Sequence, residues 1–237
     1  MPEYYKLQAI LCRTYALSHL RRHEDEGFQL CDQVHCQAYK NKATFAQIIN
    51  LVDETKGLVV VDSDLNLITA AFHSNCGGQT INSEDVWSMR TSYLKSTRDT
   101  FCLNQPNACW KKEIPLKDWT NYLLLKHKHS IGDSLIYNDS FLIPQEGREI
   151  FFKDKDLKIP LKTLRNDWQL KSTYFSIDQK KDSIIILGRG YGHGVGLCQE
   201  GAMHMAVLNY SYKDILHFYF KDVHLVDLSV LDFFREE

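Results

Sequence analysis

The hexapeptide CDQVHC places Cys31, His35 and Cys36 within six residues. Thiolates with imidazole are a zinc donor set, although the spacing is not that of a standard zinc finger. His23, a little upstream, is a candidate further ligand. The competing reading is a Cys31–Cys36 disulfide or two core thiols, and an oxidising compartment favours the disulfide. Cys102 and Cys109 bracket the polar turn LNQPNA, and a local disulfide closes that loop if the chain is exported. Seven cysteines is an odd number, so at least one is unpaired, metal-bound or paired outside the chain. A catalytic thiol needs a lowered pKa and a neighbouring base, and the sequence identifies neither.

A second chemical signal is GRGYGHGVGLCQEGA, with glycine at 188, 190, 192, 194 and 196 around His193. A dinucleotide fingerprint needs glycines at relative positions 0, 2 and 5, and the third place falls on His193, Val195, Leu197 or Gln199. A phosphate loop of the Walker type needs a Gly-Lys-Ser/Thr ending, and this stretch has no lysine. Nothing predicts a nucleotide cofactor. The strand SIIIL runs directly into the loop, and an extended continuation would leave the glycines on a bare face, with Arg189, Tyr191, His193 and Val195 on the other. Such a face either packs tightly against another element or walls a ligand groove. The helix that follows offers free backbone N–H groups to a ligand oxygen. His73 lies in the other glycine-punctuated stretch, FHSNCGGQT; each of these histidines is read as shaping a groove or as one satisfied by backbone hydrogen bonds.

The elements that must position these residues alternate in kind. Helices are expected over 3–22, 43–54, 117–127, after Gly196 and over 212–220, from apolar residues at helical spacing. The stretches 58–61 and 67–72 flank Asp-Ser-Asp-Leu-Asn and predict a hairpin. Residues 75–92 read as a loop, and strands are expected at 135–136, 148–152, 173–177 and 183–187. The fold class is α+β, a single domain with an N-terminal helix, a mostly antiparallel sheet, a less typical middle lobe and C-terminal helices.

The balance of 28 basic and 30 acidic side chains over 237 residues carries no nucleic-acid footprint. Aromatic residues make up 12%, which suits a core or stacking on sugar rings. No apolar run approaches the roughly 20 residues that cross a bilayer. The start MPEYYKLQ lacks the basic and apolar regions of a signal peptide, so the chain either stays inside or begins after its export signal.

Six segments in order, EYYKLQAILCRTYAL, CDQVHCQAY, ETKGLVV, FHSNCGGQT with SEDVW and SYL, GRGYGHGVGLCQEGA, and YKDILHFYF, together resemble the stage II sporulation protein D family, which includes amidase enhancers. The resemblance covers most of 3–100 and 184–226 and treats 1–237 as one domain with a variable lobe at 101–180. It implies a lytic transglycosylase that cuts the β-1,4 bond between N-acetylmuramic acid and N-acetylglucosamine in peptidoglycan, above all in strands stripped of stem peptides, leaving a 1,6-anhydro end. The family's catalytic glutamate falls on Glu3, with Lys6, Gln8, Ala9, Arg13, Thr14 and Tyr15 at matching places and departures at Tyr4, Tyr5 and Leu7. Cys76 and Cys198 replace the small polar residue and the serine common in the family. The resemblance also implies zinc at Cys31, His35 and Cys36, and a location outside the membrane, periplasmic or in the cell envelope.

One carboxyl suffices for a non-hydrolytic cut, first as acid to the glycosidic oxygen and then as base to the sugar's 6-hydroxyl; no second carboxylate is needed, unlike the two-carboxylate hydrolases. An acid working near neutral pH needs apolar walls, for which Tyr4, Tyr5 and Tyr191 are candidates. Without the resemblance, Glu3 is simply a first-turn helix acid. Positioning of glycan or glutamate is assigned to Arg13, Tyr15, His73, Ser74, Gly77, Gly78, Gly190, Tyr191, Gly192, His193, Gly194 and Gln199. The alternatives are a non-catalytic peptidoglycan-binding enhancer of a cell-wall amidase and, more distantly, an intracellular zinc-stabilised binding protein.

Overall fold

A computed structural model describes residues 1–128, 145–154 and 157–230. Helix α1 (Pro2–Ser18) carries proline in its first turn, where the missing N–H costs nothing. Tyr4, Leu7, Ile10, Leu11, Thr14 and Tyr15 form its buried stripe. It stops four residues short of the expected Arg22. Ser18 Oγ donates to Tyr15 O, and His19 Nδ1 lies 3.0 Å from the same carbonyl while its ring stacks on Tyr15. These side chains take over the backbone acceptor that further helix would need.

Helix α2 (Ala46–Asp53) leads into strand β1 (Leu58–Val61). The Asp62 carboxylate accepts from Asp64 N and Asn66 N and organises the expected turn. The hairpin, however, ends after the Val61–Leu67 bridge. The chain then peels away to β2 (Phe72–His73), short helix α3 (Glu84–Trp87), β3 (Cys109–Pro115), α4 (Leu116–His127), β4 (Phe151–Asp154), β5 (Leu157–Pro160) and α5 (Leu161–Asp167). Next come β6 (Phe175–Lys180), β7 (Ser183–Arg189), β8 (Leu197–Cys198), α6 (Gln199–Val207), α7 (Tyr212–Tyr219) and β9 (His224–Asp227). The expected strand at 135–136 lies outside the described residues.

The fold is mixed α+β, and its strands form several small sheets rather than one. The order β3-β7-β6 is antiparallel throughout, β4 pairs β5, and β1 pairs β9 along its other edge, with Leu58 opposite Asp227 and Val61 opposite His224. The parallel pair β2-β8 sets Phe72 opposite Leu197 and His73 opposite Cys198. Two apolar clusters result. One joins α1, β1, β8, α6 and α7 through Leu7, Ile10, Leu11, Val60, Leu197, Met205 and Leu216; the other joins α4, α5, β6 and β7 through Trp119, Leu123, Leu164, Ile177 and Ile186.

Thr14 ties α1 to β1. Its Oγ1 donates to Ile10 O and accepts Val60 N at 3.0 Å. Helix α7 begins with a complete capping box, in which Ser211 Oγ accepts from Asp214 N and the Asp214 carboxylate accepts from Ser211 N. A capping box satisfies two otherwise unpaired donors at a helix start.

Candidate functional site

Glu3 stands in the first turn of α1 with its side chain 29% exposed. Its Oε2 accepts the backbone N–H of Tyr212 at 2.9 Å, at the start of α7, and its Oε1 lies 3.4 Å from Lys6 Nζ. Lys6 also pairs with Glu54 at 2.7 Å, and that contact is the main reason its ammonium pKa is raised. Tyr4 turns inward, its hydroxyl donating to Gln8 Oε1 at 3.3 Å, and burial raises its pKa. Gln199 Nε2 donates to the same Gln8 oxygen at 3.3 Å, so the glycine-rich segment meets α1 one turn beyond Glu3.

Arg13 and Tyr15 point elsewhere. Arg13 Nη1 donates to the carbonyls of Thr55 and Leu58 at 2.8 and 2.6 Å, bracing α1 against the approach to β1, and Tyr15 Oη accepts from Arg22.

The extended glycine face does not form. The strand ends at Arg189, and Gly190, Gly192, Gly194 and Gly196 all have positive φ. The segment coils against the 73–78 loop, and a Cβ on Gly192 would sit 2.7 Å from that of His73. Close packing is therefore what these glycines permit. Asn75 and Tyr191 exchange backbone hydrogen bonds at 3.1 and 2.8 Å, joining the loops directly. His193 Nε2 donates to Phe72 O while its Nδ1 accepts Val195 N, and its ring lies 5.3 Å from both His73 and Trp87. Burial pushes His193 down to about 4 and His73 well below the ordinary imidazole value. Tyr191 is 45% exposed with Lys171 over its ring, and Trp87 is 39% exposed. Ser74 contributes its carbonyl to Glu200 N. Gly77 and Gly78 line a cavity of about 420 Å³ with Arg98, Tyr174 and Arg189; a second, of about 660 Å³, lies between Cys12, Arg13, Cys31 and Tyr39. Glu3 lines neither.

Three residues that bind these loops together are absent from the sequence-based site. Asn75 Nδ2 donates to Cys102 O and Glu200 Oε2, and its Oδ1 accepts Gly77 N. Glu200 also accepts from Asn107. Arg148 reaches across from the middle segment to donate to Gln79 O and Cys76 O. Asn75 and Glu200 sit inside the FHSNCGGQT and GLCQEGA stretches and are legible there; nothing around Arg148 marks it.

All seven cysteines are free thiols. The expected Cys102–Cys109 disulfide is absent because Cys102 is fully buried and turned toward Cys76 at 3.4 Å, whereas Cys109 is exposed at the start of β3. His23, Cys31, His35 and Cys36 bring four ligand atoms within 4.8 Å of one another. His23 Nε2 is 3.3 Å from Cys36 Sγ, and Cys31 Sγ and Cys36 Sγ are 3.9 and 4.0 Å from His35 Nδ1. The far nitrogen of His23 meets the Glu26 carboxylate at 2.6 Å, which raises the imidazole pKa. A carboxylate in that position orients a ligating histidine. The backbone N–H of Gln33, with His35 and Cys36, pulls the Cys31 thiol down to about 6. The cluster is thus a candidate Cys2His2 metal centre, with His23 completing the set. A second cluster, Cys76, Asp99, Cys102 and Cys198, has the same compactness and is fully buried.

Comparison with known proteins bears on the whole chain. The family model described as stage II sporulation protein matches residues 1–61. An uncharacterized protein of Brachyspira hyodysenteriae is 30% identical over 232 residues, which cover 96% of this chain and 62% of that protein. The amidase enhancer of Bacillus subtilis is 27% identical over 272 residues, covering 92% of this chain and 37% of the enhancer. Stage II sporulation protein D of Bacillus subtilis is 26% identical over 239 residues, covering 93% and 67%. The chain therefore spans less than two thirds of the length of the first two relatives. Similarity to both named proteins runs through nearly all of it, including the glycine-rich loops beyond the 61 residues of the family model, so the likeness to the stage II sporulation protein D family extends along the chain.

Proposed function

We propose that this protein is a lytic transglycosylase of peptidoglycan, cutting the bond between N-acetylmuramic acid and N-acetylglucosamine in denuded glycan strands with Glu3 as acid and base. The observation that carries this reading is the placement of Glu3, a partly open carboxyl held by Tyr212 N and Lys6 at the meeting of α1 and α7. In the proposed reaction Glu3 gives its proton to the glycosidic oxygen as that bond breaks. It then takes the proton of the 6-hydroxyl as the oxygen closes on the anomeric carbon, so no water is consumed. Exposed Tyr191 and Trp87 offer faces of the kind on which sugar rings stack. Gln199, tied to Gln8, holds the glycine-rich segment to α1.

His23, Cys31, His35 and Cys36 fit a zinc ion in number, donor type and compactness. When bound, the ion supplies a cross-link that fixes the 19–41 segment beside α1. The proposed setting is outside the cytoplasmic membrane, where the substrate is. Among the described residues no helix is long and apolar enough to cross a membrane.

A second reading has its own support. Similarity to a protein named amidase enhancer covers 92% of this chain, and the contacts of Glu3 also serve a purely structural role, as an extra acceptor at the start of α7. In that reading the chain binds peptidoglycan and assists a cell-wall amidase. Incubation with denuded glycan strands and mass analysis of products separates the two. Anhydro-ended fragments support the transglycosylase, reducing ends indicate hydrolysis, and binding without cleavage indicates the enhancer.

A further inference from the structure

The buried cluster of Cys76, Asp99, Cys102 and Cys198 has no place in the proposed glycan chemistry. Its members come from three stretches that are distant in sequence. Cys76 lies in the 73–78 loop, Asp99 and Cys102 lie in the segment before β3, and Cys198 closes β8. All four side chains are inaccessible to solvent. Cys76 Sγ is 3.2 Å from Asp99 Oδ2 and 3.4 Å from Cys102 Sγ, and every pair of ligand atoms lies within 4.8 Å. In a tetrahedron built on zinc–sulfur bonds of about 2.3 Å and a zinc–oxygen bond of about 2.1 Å, ligand atoms stand about 3.6 to 3.8 Å apart. Small side-chain rotations bring the cluster to that spacing.

We propose that these four residues form a second metal site, separate from the His23, Cys31, His35 and Cys36 cluster, which takes zinc or a similar borderline-soft divalent cation as a structural centre.

The surroundings are those of a metal centre rather than of three idle thiols. Asp99 Oδ2 accepts the Tyr219 hydroxyl at 2.8 Å and its Oδ1 accepts Phe101 N at 2.9 Å, so the carboxylate is fixed by donors behind it. Cys198 Sγ accepts the backbone N–H of Cys76 at 3.2 Å, the kind of outer contact that stabilises a ligating thiolate. As a donor only Cys76 finds a close acceptor, Asp99 Oδ2 at 3.2 Å, whereas Cys102 finds Asp99 O only at 3.6 Å and Cys198 finds Ser74 O only at 4.0 Å. Arg148 adds an independent sign. Its Nη2 donates to Cys76 O at 2.6 Å, its Nη1 is buried without a partner, and among the described residues it forms no ion pair. Three thiolates and a carboxylate around a divalent cation leave an anionic centre, which is what a buried guanidinium in that place would compensate. With all four positions filled by buried protein side chains, the site is closed, as structural zinc sites are. It would tie together the 73–78 loop, the segment before β3 and the start of α6.

The test uses the full chain, produced in zinc-supplemented medium and purified without chelator, with metal measured by inorganic mass spectrometry. About two zinc equivalents per chain are expected, falling to about one in Cys36→Ser and to about one in Cys198→Ser. A wild-type protein with one zinc, lost in Cys36→Ser and kept in Cys198→Ser, overturns the proposal. Since Cys198→Ser risks misfolding, a second measurement leaves this cluster intact: Cys36→Ser is reconstituted with cobalt. Charge-transfer absorption of the strength of three thiolate–cobalt bonds, with tetrahedral visible bands, is expected from Cys76, Cys102 and Cys198, more than the single Cys31 left in the other cluster can supply. Its absence, or a Cys76–Cys102 disulfide found by non-reducing alkylation and peptide mass analysis, refutes the site.

Discussion

The Glu3 carboxylate accepts the backbone N–H of Tyr212 at 2.9 Å, joining the first turn of α1 to the first turn of α7 across 209 positions of sequence. A catalytic and a structural role for this glutamate differ in what an isosteric amide would do. Glu3→Gln keeps an acceptor for Tyr212 and loses only the ion pair to Lys6, which is partly exposed and shared with Glu54. Stability should change by less than about 1 kcal/mol. Glycan cleavage should fall by about 10² to 10⁴-fold or more. Thermal melting beside product analysis checks both; undiminished cleavage removes Glu3 from the chemistry.

Gly192 has φ +118°, and a Cβ there meets His73 Cβ at 2.7 Å. Gly192→Ala combines a conformation that L residues avoid with a clash against a buried ring, so a loss of about 1–3 kcal/mol or more is expected in denaturant unfolding. Gly27 has φ +82° and nothing within 4 Å of where a Cβ would sit, so Gly27→Ala should cost less. Equal losses would deny that packing against His73 governs the glycine-rich loop.

His193 and His73 are both held neutral by burial, His193 down to about 4. The unfolded chain takes up a proton on each as pH falls through about 6.5, while the folded chain does not until far lower. Their stabilisation is therefore complete above pH 6.5 and is lost on acidification towards pH 4, on the order of 3 kcal/mol for His193 alone. His193→Asn, which retains an acceptor for Val195 N, should flatten the melting-temperature profile over that window. A profile as steep as wild type would locate the acid sensitivity in other groups.

Removal of metal from the His23, Cys31, His35 and Cys36 cluster should loosen the 19–41 segment while sparing the apolar core around Leu7 and Leu11. Limited proteolysis after treatment with a strong chelator should cut within that segment, and zinc should restore resistance. Cleavage that is indifferent to zinc would point to a segment held by its own contacts, such as His23 against Glu26.

Elements specified by neighbours in sequence are legible. The stretch at 117–127 matches its helix almost to the residue because that helix is local, and the strand at 183–187 announces itself as SIIIL. The end of α1 falls earlier than periodicity places it because His19 and Ser18 compete for Tyr15 O, an effect invisible to an apolar pattern. The hairpin is half right: local turn chemistry at Asp62 persists and Ile68 N still reaches Val60 O, but Thr14 Oγ1 takes the Val60 N–H that would continue the ladder on that edge. The glycine-rich loop lies where the sequence puts it but with a different geometry, since spacing alone does not reveal positive φ. Arg148 and Asp99 act on partners far along the chain, and no local pattern encodes such distances.

The β1–β9 pairing has a consequence for how the chain must be made. Val59 and Val60 acquire their strand partners, Val226 and Leu225, only after almost the whole described chain has been synthesised. The apolar face of α1 waits similarly for α6 and α7. Contacts of such sequence separation form late and leave sticky surface uncovered meanwhile. During translation the first sixty residues thus keep apolar surface uncovered, and a truncated product lacking 197–227 should be cleared or aggregate rather than persist as a smaller folded protein.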